Sequence, residues 1–284
     1  MTSSIPYDAS RSALYTPERR DTVFVAGRSH TPVEWAVEAA RLTYYRADES
    51  ATELARLAAA LAAAGFGAPT LFADGATFAF GCLHGGDGSA LVAFRGTQPD
   101  EIRHLATNLQ AQQTDWNESG GRVHAGFAKA ARSVLPQIGA WLGGPAREHA
   151  RLILAGHSLG AALATLAATV LRPALLVTLG SPRVGDSDFV AALAKHHVLR
   201  VVDGCDIVTQ LPPALSFYAH AGAVNYIRCV DGVCVEEPSP AEIDADRLEG
   251  RARYATEHAW RSGSVLLREL ADHAPINYVR AFFD

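Results

Sequence analysis

One nine-residue stretch decides the fold of this chain: LILAGHSLG, residues 152–160. Its apolar first half predicts a buried strand, and the alanine-rich run that follows to residue 171 predicts a helix. Between them lies the pattern G-x-S-x-G, which in this context forms a sharp strand-to-helix turn. The glycines are needed because a side chain at either position would collide with the neighbouring strand or helix.

Ser158 stands at the centre of this turn. The turn lifts the Ser158 hydroxyl above the sheet and directs the Leu159 amide at whatever Ser158 attacks. The helix N-terminus adds partial positive charge at the same place. The alternative is that Ser158 is only a helix cap. Because both glycines, the strand and the helix occur together, we interpret Ser158 as a nucleophile.

Predicted strands and helices alternate on both sides of this turn. After residue 120 the helices are expected at 127–142, 158–171 and 188–196, and the strands at 151–155, 174–179 and 198–202. Before it, helical periodicity over 32–64 is followed by an antiparallel meander of short strands at 70–72, 77–83 and 90–94. This order predicts a mixed, mostly parallel α/β sheet with helices on both faces. We expect one domain over residues 1–284, with residues 1–30 as an irregular arm.

Composition excludes several classes of protein. With 284 residues, 49% of them hydrophobic and 19% charged, the chain can bury a full core and is not a disordered tail. A net charge of −5 disfavours nucleic acid as a partner. The longest unbroken apolar stretch, residues 57–64, is about a third of a membrane span, so we expect no stable membrane insertion. Residues 1–21 contain no apolar core of a secretion signal, which predicts a cytoplasmic protein.

The four cysteines are too few and too unevenly spaced for a disulfide framework or a zinc site. No nucleotide-binding or metal-binding motif occurs, so no cofactor and no metal is expected. Cys229 and Cys234 flank an Asp-Gly turn. We expect them to face each other across a hairpin, as thiols in a reducing compartment.

Five sequence blocks, in this order, resemble those of the class 3 lipases, which are α/β-hydrolases typified by fungal triacylglycerol lipases. They are VAFRGT (92–97), VHAGF (123–127), GHSLG (156–160), LGSPRVG (179–185) and DIVTQLPP (206–213). The pair Asp272-His273, followed by Tyr278, extends the match. The resemblance implies an α/β-hydrolase fold and a catalytic triad of Ser158, Asp206 and His273. In such a triad His273 is the general base, and Asp206 orients it and stabilises its charged form.

The triad assignment has rivals in the sequence. Asp203 is a second candidate acid, which we interpret instead as a loop-capping carboxylate. Four further histidines compete with His273 for the role of base: His196, His197, His220 and His258. Of these, His220 matches a structural block of the family and is expected to be buried and hydrogen-bonded. The two histidines that flank the site in the family, His124 and His157, are expected to be structural.

The resemblance also implies an oxyanion hole and a lid. The Leu159 amide would be one donor of the oxyanion hole, and Thr97 the other, through its amide and its hydroxyl. The alternative for Thr97 is a cap at the end of a strand. The lid would correspond to residues 98–116, where Ile102, Leu105 and Leu109 form a narrow apolar stripe at helical spacing.

These observations predict a serine carboxylic-ester hydrolase that cleaves acyl esters or lipids through an acyl-enzyme. The alternatives are a phospholipase A1 or a feruloyl-type esterase on the same scaffold. A catalytically inactive hydrolase-fold protein that binds lipid or a partner is the alternative from another class. Fold does not determine substrate.

Overall fold

The computed structural model describes residues 5–97, 112–213 and 217–283. The strands are β1 (Thr70–Asp74), β2 (Thr77–Leu83), β3 (Ala90–Phe94), β4 (Gln113–Asp115), β5 (Arg122–His124), β6 (Leu152–His157), β7 (Leu175–Leu179), β8 (Val198–Asp203), β9 (Val224–Ile227) and β10 (Cys234–Glu236). The α-helices are α1 (Arg11–Tyr15), α2 (Pro32–Leu42), α3 (Ala51–Ala63), α4 (Ala125–Gly143), α5 (Leu159–Leu171), α6 (Ser187–Ala191), α7 (Pro240–Glu257), α8 (Arg268–Ala271) and α9 (Pro275–Val279). Short 3-10 helices cover Pro17–Arg19, Thr43–Tyr45 and Val208–Gln210.

The central sheet has eight strands in the order β1-β2-β3-β6-β7-β8-β9-β10. The pairs from β3 to β9 are parallel, whereas β1-β2-β3 and β9-β10 pair antiparallel. The two remaining strands, β4 and β5, form a separate antiparallel pair. The predicted antiparallel meander, followed by a parallel body, is confirmed.

Helices cover both faces of this sheet because alternate strand residues point to opposite sides. In β6, Ile153 and Ala155 belong to the core layer that contains α2 and α9. Leu152 and Leu154 belong to the other layer, with α4 and α5. The strand is therefore buried on both faces, as its continuous apolar sequence predicts.

Two predicted elements differ from the structure. The helix expected at 188–196 ends at Ala191, because the following backbone N–H groups donate to carbonyls three residues back and form tight turns. Within the arm at 1–30, α1 begins at Arg11, and the side chain of its N-cap residue, Ser10, accepts from the Ala13 N–H. No helix in the described ranges is both long and apolar enough to cross a bilayer.

Candidate active site

Ser158 occupies the predicted sharp turn between β6 and α5. Its backbone is strained, with φ 59° and ψ −127°. A Cβ at Gly156 would lie 2.2 Å from the Gly160 carbonyl oxygen, and one at Gly160 would lie 2.1 Å from that of Phe94. These contacts confirm why glycine is required at both positions. The Ser158 side chain makes no capping hydrogen bond, so the cap interpretation is wrong.

The three residues of the predicted triad meet at the carboxyl edge of the parallel strands. Ser158 Oγ lies 2.9 Å from His273 Nε2, and His273 Nδ1 lies 2.8 Å from Asp206 Oδ2. Ser158 and Asp206 follow β6 and β8, while His273 lies between α8 and α9. All three side chains are buried, with exposures of 0–1%. The imidazole therefore bridges the hydroxyl and the carboxylate.

Three groups donate hydrogen bonds to the Asp206 carboxylate. The Val208 N–H donates to Oδ1 at 2.8 Å, and the Tyr278 hydroxyl donates to Oδ2 at 2.5 Å, beside His273. Burial and the Asp206 charge raise the pKa of Tyr278, which keeps its hydroxyl protonated. Gly180, at φ +59°, leaves the room for this arrangement, because a Cβ there would lie 2.8 Å from Asp206 Oδ2. Sequence reasoning noted Tyr278 only as part of the resemblance and missed this contact.

Asp203, the rival acid, does not contact His273. Its carboxylate forms a 3.6 Å ion pair with Arg280 and accepts no hydrogen bond from the described residues. The prediction that it caps a loop is therefore wrong for its side chain; only its backbone carbonyl accepts, from the Asp206 N–H. Burial, together with the Asp272 charge, raises the pKa of Asp203.

The rival histidines lie away from Ser158. His220 Nε2 pairs with the Thr209 carbonyl at 2.9 Å, and burial lowers its pKa to about 3, which agrees with the predicted hydrogen-bonded role. His196 and His197 lie in the turns before β8. His258 packs between two tyrosine rings. His124 accepts from the first N–H groups of α4, which is a structural role as expected.

Near the triad, His157 and Thr97 each carry a buried polar atom that has no partner in the described part of the chain. His157 Nδ1 pairs with the Tyr44 hydroxyl at 2.8 Å, and its ring centre lies 4.6 Å from that of His273. Burial and the neighbouring His273 hold the pKa of His157 well below its usual range. Among the described residues, no partner exists for buried His157 Nε2 or for buried Thr97 Oγ1.

His157 and Thr97 both line a cavity of only about 10 Å³. Its walls are Leu14, Pro17, Tyr44, Thr97, His157, His273 and Pro275. A space of this size holds no more than one water molecule. Two apolar residues of the N-terminal segment, Leu14 and Pro17, thus line the same small cavity as His273.

The same N-terminal segment is tied to the loop that carries His273. The Tyr7 hydroxyl donates to Asp272 Oδ1 at 2.8 Å. Asp8 and Asn277 exchange two hydrogen bonds of 2.9 Å, one in each direction. Sequence reasoning missed this contact, because no motif marks residues 1–30 and the partners are more than 260 positions apart.

The cysteines do not pair as predicted. Cys234 lies opposite Ile227 in the β9–β10 ladder, and Arg228 pairs with Val233, which leaves Cys229 inside the loop. The predicted contact between Cys229 and Cys234 is therefore wrong. Cys229 Sγ lies instead 3.8 Å from Cys205 Sγ.

The predicted lid falls mostly outside the described residues. Residues 98–111 include its whole apolar stripe, and they are not among the described ranges. Residues 113–115 of the same stretch form β4, which pairs with β5. The amide of Leu159, predicted to be an oxyanion donor, opens α5 and so has no intrahelical acceptor.

Comparisons with known proteins agree with this geometry. Residues 91–216 match the family described as Lipase (class 3). Over 140 residues the chain is 37% identical to secreted mono- and diacylglycerol lipase 1 of Fusarium solani, a match that covers 46% of this chain and 41% of the relative. Over 148 residues it is 34% identical to the chloroplastic phospholipase A(1) DAD1 of Arabidopsis thaliana, a match that covers 43% of this chain and 33% of that protein.

The solved structure of lipase II from Rhizopus niveus has the same fold. It superposes with a TM-score of 0.60 at 24% identity, covering 69% of this chain and 79% of that one. The chain spans less than half the length of the curated relatives named above. Residues 91–216 are thus similar in sequence to the class 3 lipases, and the chain has the α/β-hydrolase fold of the solved lipase.

Proposed function

We propose that this protein hydrolyses carboxylic esters through an acyl-enzyme formed on Ser158. One observation carries the proposal: the hydrogen-bond path from Ser158 Oγ through His273 to Asp206, at 2.9 and 2.8 Å. In this path a neutral imidazole accepts the serine proton on Nε2 while Nδ1–H donates to the carboxylate. Nucleophile, base and orienting acid are thus in hydrogen-bond contact before substrate binds.

The reaction proceeds in two halves. Ser158 Oγ attacks the acyl carbon as His273 takes its proton, and His273 then protonates the leaving alcohol. In the second half His273 activates water, which attacks the acyl-enzyme and releases the acid. Asp206 stabilises the imidazolium in both halves, and its two other donors keep its carboxylate in place.

The oxyanion that forms in each half requires donors aimed at it. We assign this role to the Leu159 amide, and to Thr97 through its amide and hydroxyl. The Leu159 N–H lies at the start of α5, where the helix dipole also favours negative charge. Buried Thr97 Oγ1 lacks a partner among the described residues, and Thr97 lines the small cavity that His273 also lines. An unpaired buried hydroxyl is free to donate to an oxyanion.

For the substrate we propose soluble short- to medium-chain acyl esters. The predicted lid stripe of three apolar residues offers little surface for insertion into an oil phase, and it has no basic face. Hydrolysis of tributyrin should therefore show no sharp rate increase at the solubility limit. A several-fold jump there, with long-chain triglycerides preferred, would contradict this proposal.

A phospholipase A1 activity is the second candidate, because one relative carries that name. Hydrolysis of a phosphatidylcholine at the sn-1 position, faster than that of p-nitrophenyl butyrate, would favour it. The cytoplasmic location stays a prediction, since the Fusarium relative is named as secreted. The single-domain organisation over residues 1–284 also stays a prediction.

A fluorophosphonate probe tests the central proposal, because it labels only an activated serine. We expect labelling of the wild-type protein, none of Ser158→Ala, and turnover of p-nitrophenyl esters that falls by about 10⁶ in the variant. Ser89→Ala is the matched control, since Ser89 is equally buried but precedes β3, at the opposite end of the parallel β3–β6 pair from Ser158. Labelling that persists in Ser158→Ala would refute ester hydrolysis at Ser158. So would a wild-type protein that binds lipid but is not labelled and hydrolyses no ester.

A further inference from the structure

A second cluster of reactive side chains adjoins the triad, and the proposed reaction does not use it. The Sγ atoms of Cys205 and Cys229 are 3.8 Å apart, and an Asp272 carboxylate oxygen lies within 4.8 Å of both. All three residues are buried. Cys205 directly precedes Asp206, and Asp272 directly precedes His273. Single peptide bonds therefore connect the cluster to two residues of the triad.

Two glycines provide the space for the Cys229 side chain. A Cβ at Gly250 would lie 2.5 Å from Cys229 Cβ, and a Cβ at Gly204 would lie 2.7 Å from Cys229 Sγ. Both distances are shorter than real contacts, so any other residue at either position would displace Cys229. The approach of the two thiols thus depends on three separate segments: the loop after β8, the β9–β10 loop and α7.

The surroundings fit a thiol pair better than a metal site. Asp272 Oδ2 already accepts from the Cys205 N–H at 2.8 Å and from Arg268 Nε at 3.0 Å, and Oδ1 accepts from Tyr7. The Arg268 guanidinium also places a positive charge at the carboxylate that a cation would need. Two thiols alone are fewer than the four ligands of a structural zinc site.

We propose that Cys205 and Cys229 form a redox-active pair, which hydrogen peroxide oxidises to a disulfide that displaces Asp206 and lowers ester hydrolysis. The effect on turnover rests on the proposed function, whereas the formation of the disulfide does not. A thiolate attacks one peroxide oxygen, the O–O bond breaks, and a sulfenic acid and hydroxide form. The second thiol attacks this sulfur, the S–O bond breaks, and water leaves. In sum, two thiols and one peroxide give one disulfide and two waters.

Cys205 is the thiol that reacts first. Its pKa is lowered by the hydrogen bond that it shares with the Cys229 thiol, and Arg268 contributes, although burial and the Asp272 charge oppose this. The same hydrogen bond raises the pKa of Cys229, which stays protonated until the second step. Peroxide is small enough to reach a buried pair, whereas a glutathione-sized oxidant is not. While protonated, the Cys205 thiol donates to the Arg247 carbonyl at 3.6 Å.

The disulfide would disturb the triad through the backbone. An S–S bond is about 2.05 Å long, so the two sulfurs must approach each other by roughly 1.8 Å. Cys205 and Asp206 share a peptide bond, and the Cys205 N–H is bonded to the residue before His273. Because misplacement of about 1 Å costs on the order of 10²-fold in rate, we expect kcat to fall tenfold to a hundredfold with KM little changed.

Tryptic mapping of the whole protein identifies the disulfide without reference to activity. Cleavage after Arg200, Arg228 and Arg247 places Cys205 in peptide 201–228, and both Cys229 and Cys234 in peptide 229–247. After peroxide treatment we expect these two peptides joined by one disulfide, also in Cys234→Ser. A lone peptide 229–247 that is lighter by two hydrogens would mean a Cys229–Cys234 disulfide and would overturn the proposal.

Turnover is measured on the same samples before and after peroxide, and again after dithiothreitol. We expect a loss of kcat that dithiothreitol reverses in the wild type and in Cys234→Ser, and no loss in Cys229→Ser. A disulfide that forms without changing kcat would overturn the effect on Asp206. Zinc that copurifies with the protein and is released by thiol blocking would overturn the redox pair itself. If reduced protein hydrolyses no ester, the proposed function fails, while the peptide map still decides the disulfide.

Discussion

Replacing Asp206 by asparagine tests the triad at its most constrained residue. The two carboxylate oxygens accept three hydrogen bonds, from Val208 N–H, His273 Nδ1–H and the Tyr278 hydroxyl. Asparagine offers one oxygen and one NH₂ group, which is a donor. With the imidazole proton on Nδ1, as the triad requires, at least one donor faces another donor in a fully buried place, whichever way the amide is turned. The isosteric change therefore keeps the shape and removes the hydrogen-bond match.

The two orientations have different costs. With the oxygen towards His273 and Tyr278, the NH₂ group meets only the Val208 N–H, which costs stability of about 1–3 kcal/mol. With the NH₂ group towards His273, the imidazole must carry its proton on Nε2 and cannot accept the Ser158 proton. In both cases the negative charge that stabilises the imidazolium is lost. We expect kcat to fall by about 10⁴, or roughly 5.4 kcal/mol of transition-state stabilisation.

Asp203→Asn is the matched control, because Asp203 is as buried as Asp206 and lies three residues before it. Its carboxylate accepts no hydrogen bond among the described residues, and burial raises its pKa. We expect its kcat to change less than threefold. The assay is hydrolysis of p-nitrophenyl butyrate, with circular dichroism to verify folding. Asp206→Asn with more than a tenth of wild-type kcat, or a larger loss in Asp203→Asn, would refute the assignment.

Three further changes probe other parts of the site. Thr97→Val should lower kcat by about 10²-fold at nearly unchanged melting temperature, since the lost hydroxyl has no partner in the described structure; a raised KM with normal kcat would refute the oxyanion role. Gly180→Ala should lose most turnover, because the new Cβ would lie 2.8 Å from Asp206 Oδ2 at φ +59°, and wild-type kcat would contradict this. Burial lowers the pKa of His220 to about 3 in the folded protein, whereas an unfolded histidine titrates near 6.5. As the pH falls below about 6.5, the unfolded state binds a proton that the folded state does not, and the free energy of unfolding decreases. The destabilisation caused by His220→Gln should accordingly shrink by about 1.4 kcal/mol from pH 7.5 to 5.5 in urea unfolding, and a constant difference would refute the shift.

Local patterns were sufficient to predict the elements around Ser158. An unbroken apolar run, two glycines and an alanine-rich run are interactions between near neighbours, and β6, the turn and α5 follow them closely. Local patterns were not sufficient to select the base and the acid of the triad. Asp206 and His273 lie 67 positions apart and meet only because of the strand order of the sheet, so the resemblance to a family was needed to select them.

The contacts that sequence reasoning missed share one physical property: each joins residues that are far apart in the chain. Tyr278 reaches Asp206 over 72 positions, and Tyr44 reaches His157 over 113. Neither tyrosine stands in a pattern that specifies its partner, because a buried hydroxyl needs only some acceptor in reach.

The wrong prediction for Cys229 has a local cause, the length of a loop. The Asp-Gly turn was read correctly, but the loop contains four residues rather than two, which moves Cys229 out of the ladder.

The three triad residues are held in place by unequal means. Ser158 is held by its strained backbone and by the close backbone contacts at Gly156 and Gly160. Asp206 is held by three hydrogen-bond donors from different segments. His273 lies in a short connection between α8 and α9. Its neighbours Asp272 and Asn277 are tied to Tyr7 and Asp8 of the N-terminal segment.

The position of the base consequently depends on the docking of residues that are more than 260 positions away. The same segment supplies Leu14 and Pro17 to the wall of the cavity beside His273. It therefore has two opposing effects on the site. It holds the proposed catalytic base, and it occupies space beside Thr97, the proposed oxyanion donor. The anchoring contacts of Tyr7 and Asp8 precede α1, whereas the lining residue Leu14 lies within it, so the two effects come from different parts of the same segment.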